Sequence, residues 1–249
     1  MANIDQFGIP TKELYDLLVS KGVKFLYHAN TVSTAITFIE NGALLSREYV
    51  EKNELTQTSQ KSDEKDKKVD VWDHVFLDGF DLHDKYNRAN KYGPVLFFMN
   101  LELLLDAAVN EVFITKSNPY YWTDQTPIEN KFYSAIEEVD IHYLTSKKID
   151  AQIMFTFRSP ELSVSLKRYL CYIGVDCPKM LISLVTGEQM AVGDYATKAI
   201  RKSLAENNLD HVEVMERHKG YAKTYCGCHF TYNRLSLFNR AELKKLFGK

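Results

Sequence analysis

The run Phe25-Leu-Tyr-His-Ala-Asn-Thr31 carries an apolar stretch to a histidine, and a helical pattern and then Gly42-Ala-Leu-Leu-Ser-Arg47 follow at once. A histidine at the open end of a first strand can hold a nucleotide, because a neutral imidazole offers one donor and one acceptor. His28 is therefore the first candidate for chemistry. A second is Cys226-Gly-Cys228-His229, which places soft ligands close together, with Cys171 and Cys177 able to complete a zinc site. That spacing matches no zinc-finger pattern, so the four cysteines read as packed thiols and no metal is expected. A third is the loop from Asn118 to Pro127, which carries Tyr120, Tyr121 and Trp122 in succession. Three adjacent aromatics either plug the rim of a core or form a platform for stacking a nicotinamide or a nucleobase. The chain has no G-x-G-x-x-G, no G-x-x-x-x-G-K-[ST], no G-x-S-x-G and no H-E-x-x-H. That speaks against dinucleotide-fold dehydrogenases, P-loop enzymes, serine hydrolases and zincins.

The elements that must position these residues can be read from periodicity. Pro10-Thr11 followed by Leu14, Leu17 and Leu18 predicts a capped amphipathic helix. Val23 to Tyr27 predicts a strand. Thr31 or Ser33 should cap a helix with Ala35, Ile36 and Ile39 on its apolar face, and Gly42 should end it. Pro94 belongs at the start of a strand running to Met99, since proline cannot donate to a sheet ladder. Further strands are expected at 75–77, 112–115, 151–157, 169–175 and 211–215, and helices at 101–108, 131–139, 195–205 and 240–247. Strands and helices without regular alternation indicate an α+β fold.

Residues 48–70 differ in composition, with eight charged residues in the ten from Lys61 to Asp70. Such a segment stays solvated, so an exposed loop with freedom to move is expected, or a flap that orders over a ligand. The whole of 1–249 reads as a single domain, since 45% hydrophobic residues can bury a sizeable core. A net charge of −2 supplies no global field toward nucleic acid or anionic membrane, so a nucleic-acid partner would need a local groove. No apolar run approaches a membrane span, and Met1-Ala-Asn-Ile-Asp-Gln lacks a signal layout. With so few cysteines, a cytoplasmic protein is expected.

Tyr27-His28-Ala-Asn-Thr31, the helix, Gly42-Ala-Leu-Leu-Ser-Arg47 and Tyr92-Gly-Pro-Val-Leu-Phe97 resemble, in order and spacing, the front half of DarT-like ADP-ribosyltransferases over roughly residues 20–160. The resemblance implies a split central sheet with surrounding helices that grips NAD, as a substrate, in a cleft. On it, His28 matches the histidine that contacts the nicotinamide ribose and carboxamide. Arg47, or Lys65, Lys67 or Lys68, would meet the pyrophosphate. Tyr49 would flank the nicotinamide, a role that Tyr27 or the Tyr120-Tyr121-Trp122 cluster could also fill.

Cleavage of the nicotinamide bond passes through an oxocarbenium-like ribose, so a carboxylate or amide gripping the ribose hydroxyl stabilises the transition state. The family has a glutamate at the start of a late strand for this, whereas the matching position here is Gln152. Gln152 can hydrogen-bond a ribose but cannot serve as a base. Glu137, Glu138 and Glu161 are the alternative acids, with Glu138 taken alongside His28 and Gln152. The resemblance further implies a target base in single-stranded DNA or RNA, a toxin or phage-defence setting and an antitoxin protein. Arg158, Lys167 and Arg168, with Tyr169 and Tyr172, are the local basic and aromatic residues that could meet such a strand. A transferase acting on protein and a non-catalytic NAD-binding module are the rival readings.

Overall fold

The computed structural model describes residues 4–60, 62–85, 89–143, 152–158, 164–184, 186–218 and 226–248, so Glu161 lies outside the described residues. Its strands are β1 (Ile9–Pro10), β2 (Phe25–Asn30), β3 (Ala43–Leu44), β4 (His74–Asp78), β5 (Val95–Asn100), β6 (Glu111–Ile114), β7 (Met154–Arg158), β8 (Val164–Ser165), β9 (Leu170–Asp176), β10 (Leu181–Ser183), β11 (Gln189–Ala191) and β12 (Glu213–Arg217). Its α-helices are α1 (Thr11–Ser20), α2 (Val32–Glu40), α3 (Arg47–Lys52), α4 (Asp63–Lys68), α5 (Leu82–Lys85), α6 (Ile128–Lys131), α7 (Ile136–His142), α8 (Leu166–Tyr169), α9 (Val192–Glu206), α10 (Cys228–Phe238) and α11 (Arg240–Phe247).

The central sheet runs β1-β6-β7-β4-β2-β5-β9-β12, antiparallel except for the parallel pair β9 and β12 that α9 connects. It is nearly two sheets. β4 matches β7 from His74↔Arg158 to Asp78↔Met154, and β2 matches β5 from Phe25↔Asn100 to Asn30↔Val95. Between these halves β2 and β4 meet at one register pair, Tyr27↔Asp78. The α+β arrangement with a split sheet and flanking helices is therefore the one the chain forms.

Local sequence explains why β2 leads so abruptly into α2. The Thr31 side chain accepts from the Thr34 amide and caps the helix, whose Val32, Ala35, Phe38 and Ile39 are buried. Gly93 lets the next segment press against this corner: a Cβ there, at φ +144°, would fall 2.1 Å from the Asn30 carbonyl oxygen. Pro94 immediately precedes β5, and its carbonyl accepts the Asp176 amide at 2.8 Å.

Three expected elements differ. Leu101–Leu105 is a 3-10 turn rather than a helix through Ala108, because the Asn100 side chain caps it and Asp106 is already extended. The helix expected over 131–139 is divided into α6 and α7, since Phe132 is extended to bridge Thr115 and pack against Trp122. The charged stretch 48–70, expected as a loop, contains most of α3 and all of α4. Within it Lys67 pairs with Glu51 at 2.7 Å, and its Asp63 pairs with the preceding Arg47 at 3.0 Å.

His74 on β4 is buried between Phe76 and Phe132, with its Nδ1 2.8 Å from Thr156 Oγ1. Burial, opposed by Asp73 and assisted by Arg158, pushes its pKa from the usual 6.5 down to about 4. The unfolded chain therefore takes up this proton more readily than the folded one. Stability is complete above pH 6.5 and falls as pH drops toward about 4, by up to about 3 kcal/mol for this one group. Urea unfolding across that range should show a steeper acid loss in the native protein than in His74→Phe. Parallel acid limbs would show that His74 does not set the slope.

Candidate functional site

The join between the half-sheets is where the candidate residues gather. Beyond Tyr27↔Asp78 the strands diverge, and the His28 ring spans the gap: its Nδ1 lies 2.6 Å from the Phe76 carbonyl oxygen. A carbonyl can only accept, so Nδ1 carries the proton and Nε2 of the neutral ring is an acceptor. Burial lowers the His28 pKa, with the Arg47 charge adding to it, against the opposing hydrogen bonds to Phe76 and Asn30. The ring lies 5.8 Å from Phe38 of α2, which limits its rotation.

Asn30, two residues on and buried, has an Nδ2 with no acceptor among the described residues. A buried amide donor without a partner is costly, and a bound carboxamide or hydroxyl would satisfy it.

Across the join, the residue before β7 supplies the second group. Gln152 is fully buried, and its Nε2 donates to Asp78 Oδ1 in a short hydrogen bond. Its Oε1 accepts from Asn118 Nδ2 at 3.5 Å, and that same Nδ2 lies 3.4 Å from the Tyr92 hydroxyl. Tyr143 is nearby: burial and the charge of Asp78 push its phenol well above its ordinary range, and its hydroxyl donates to the Gly79 carbonyl at 3.1 Å. The carboxylate beside Gln152 is thus Asp78, from the neighbouring strand.

Arg47 begins α3, whose Ser46 cap accepts the Tyr49 amide. Its guanidinium reaches Gln57 Oε1 at 3.3 Å, the Thr58 carbonyl at 3.2 Å and Asp63 at 3.0 Å, and lies over Trp72. Burial lowers its pKa, opposed by Asp63 and Asp66. Thr58 in turn touches Thr31 Oγ1 at 2.6 Å and donates its amide to Thr34 Oγ1, while Thr37 donates to the Thr56 carbonyl. Residues 56–58 therefore form a strap along the start of α2, close to His28, and Arg47 clamps it.

Tyr27 packs on Phe98 at 5.1 Å, and Tyr49 is partly buried against the main core. Lys65 donates to the Tyr120 carbonyl, Lys67 pairs with Glu51, and Lys68 is exposed.

The fold has counterparts among solved structures, whereas no family model and no curated protein matches the chain. The chain is similar in structure to DarT proteins. Thermosipho africanus DarTG in complex with ADP-ribose matches 78% of this chain and 50% of its own, at 14% identity and a TM-score of 0.46. This chain thus spans half the length of that one. Thermus sp. 2.9 DarT in complex with ADP-ribosylated single-stranded DNA matches 79% of this chain and 95% of its own, at 12% identity and a TM-score of 0.49. The same DarT in complex with NAD+ matches 78% and 96%, at 12% identity and a TM-score of 0.46.

Several expected residues stand apart from the join. Glu138 is on α7, half-exposed and 3.6 Å from Lys116, and its neighbour Glu137 is exposed in the first turn of the same helix. The aromatic trio divides: Trp122 is buried against Phe132, while Tyr120 and Tyr121 are 51% and 53% exposed. The basic and aromatic set does not form one patch. Arg158 pairs with Asp73, whereas Arg168 and Tyr169 both bind Asp106, and Tyr172 packs against Phe25 and Phe98. Another groove on α9, lined by Lys179, Lys198 and Arg201, has two of its cations matched by Asp194 and Glu216.

Asp78 and Asn118 were not expected from the sequence. Asp78 closes the run Val75-Phe76-Leu77, where a charged residue at a strand end reads as ordinary solvation. Only the pairing of β4 with β7 makes it Gln152's neighbour.

Proposed function

We propose that the chain is a mono-ADP-ribosyltransferase of one domain, which moves ADP-ribose from NAD to a base of single-stranded DNA or RNA. It would act as a toxin or phage-defence effector, checked by an antitoxin protein. The observation that carries this reading is the one-pair join, with His28 spanning it on one side and the Gln152–Asp78 pair on the other. The sequence pattern around His28 supports the same assignment.

In this reading the nicotinamide ribose lies at the join. Nε2 of His28 accepts from a ribose hydroxyl or the carboxamide N–H, and Asn30 Nδ2 donates to the carboxamide oxygen. The bond from ribose C1′ to the nicotinamide nitrogen breaks with its electron pair leaving on the nicotinamide. C1′ then carries positive charge, which a nearby fixed carboxylate stabilises. Asp78 is that carboxylate, and Gln152 orients it and can itself hydrogen-bond the ribose. A base nitrogen attacks C1′ and gives up its proton to Asp78 or to water. Arg47 contributes positive charge toward the pyrophosphate, and residues 56–58 form part of the cleft wall.

Incubating the purified chain with NAD labelled in its adenylate half, against separate pools of single-stranded DNA, RNA and protein, tests this. Label is expected in a nucleic-acid pool, with release of nicotinamide. Label in protein alone would replace the target class. Binding of NAD with no label transferred and no NAD consumed would favour the non-catalytic module and end the enzyme reading.

A further inference from the structure

Outside the join, the described residues hold a second polar cluster, buried among β9, β12, α5 and the start of α10. Cys226 Sγ, Cys228 Sγ and a ring nitrogen of His83 lie within 4.8 Å of one another. His229, the histidine next to the cysteines in sequence, turns away instead, with its Nε2 3.1 Å from the Arg217 carbonyl oxygen. Cys171 and Cys177 are not in the group: Cys177 Sγ contacts the Val175 carbonyl and Thr197, and Cys171 Sγ faces the Tyr169 carbonyl.

We infer that Cys226, Cys228 and His83 form a binding site for one zinc-class divalent ion, which ties α5 to the start of α10. Three features support it. The sulfurs are oriented as ligands, since the Asn90 amide donates to Cys228 Sγ at 3.1 Å and the Cys228 amide donates to Cys226 Sγ at 3.3 Å. Backbone N–H groups directed at sulfur favour the thiolate form that metals bind, and Cys228 is the first residue of α10, at the positive end of a helix; there they work against Cys226, burial and Asp176, which push the Cys228 thiol up.

The imidazole is oriented too. Asp81 Oδ1 lies 2.6 Å from His83 Nδ1 and also accepts the His83 backbone amide at 2.9 Å, the carboxylate-histidine arrangement that fixes a metal-binding ring. Nε2 is on the other side, 3.7 Å from Asp176 Oδ2. The cluster is also enclosed: His83, Asp81, Asp176 and Cys228 are all buried.

The donor set selects the ion. Two thiolates and an imidazole suit zinc, whereas magnesium and calcium take oxygen. With Zn–S near 2.3 Å and Zn–N near 2.0 Å, ligand atoms sit roughly 3.4–3.8 Å apart around a tetrahedron, so the present spread needs only small side-chain rotations. Asp176 accepts from Tyr232 at 2.7 Å and pairs in charge with Arg217 at 3.0 Å, which suits it to an outer supporting role with the fourth position left to water. Both cysteines pack against the main hydrophobic core, yet they also stand beside the His83 ring, whose own neighbours are Asp81, Asp176 and Arg217.

The test is to unfold the purified chain in chelator, refold it under reducing conditions with zinc, remove the excess ion and measure metal by mass spectrometry. One equivalent per chain is expected, falling to background in the Cys226→Ser, Cys228→Ser double variant and remaining in Cys171→Ser. Cobalt in place of zinc should give the thiolate charge-transfer band and the intense visible bands of a tetrahedral site, a readout on the native sequence that does not depend on a variant folding. No bound metal in the folded, reduced native chain, or metal retained by the double variant, would overturn the assignment. So would rapid alkylation of both cysteines in the zinc-treated native protein.

Discussion

Replacing His28 with alanine should lower ADP-ribose transfer by about a hundredfold, the scale on which loss of orientation acts, while the protein stays folded. The side chain bonds to the Phe76 carbonyl and to Asn30 and makes one ring contact, to Phe38. Losing hydrogen bonds of this kind costs about 1 kcal/mol each, so melting should shift only modestly. The activity effect is larger because the ring's role is geometric: its Nδ1–H is committed to β4, which fixes where the Nε2 acceptor points. His28→Asn retains a donor and an acceptor in part and should recover some of the loss in kcat/KM. The lowered pKa adds a pH signature. The imidazole stays neutral through the physiological range, so the rate should show no decline attributable to it until the pH falls below its ordinary 6.5. A folded His28→Ala protein with unchanged transfer would remove His28 from the site.

What could be read in the sequence was local. The run into His28, the threonine cap, the apolar face of α2 and the glycine that ends it are all settled by residues within about one or two helical turns of one another. The split sheet could be expected only through the resemblance that the short, ordered pattern around His28 carries. The Gln152–Asp78 pair could not, since its partners are 74 residues apart and meet only because β4 and β7 are neighbours. At 48–70 composition pointed to solvent, and much of the segment is exposed, but it did not reveal that α3 and α4 form there with Lys67 paired to Glu51 and Asp63 to the preceding Arg47. Cys226 and Cys228 invited the adjacent His229 as a partner, while the fold supplies His83 from α5.

Gln152 stands where the DarT-like pattern that this sequence resembles has a glutamate, and the strand beside it determines what that difference means. If Asp78 supplies the negative charge, Asp78→Asn should lower kcat by roughly 10²–10³, the usual consequence of removing one electrostatic partner of a developing charge. KM for NAD should change far less, because the charge appears on the ribose only as the nicotinamide bond breaks. Asparagine preserves shape and can still pair with Gln152, so the folded structure should persist, which melting and NAD affinity would check. Gln152→Ala removes the group that orients Asp78 without removing the charge, and a smaller loss is expected. Gln152→Glu would place two carboxylates within hydrogen-bonding distance in a buried site; one must then hold a proton, so its activity should shift with pH instead of exceeding that of the native enzyme. An Asp78→Asn protein that transfers at the native rate would return the role to a different acid. A loss in Gln152→Ala equal to that in Asp78→Asn would mean that the two side chains work as one unit, amide and carboxylate holding the ribose between them.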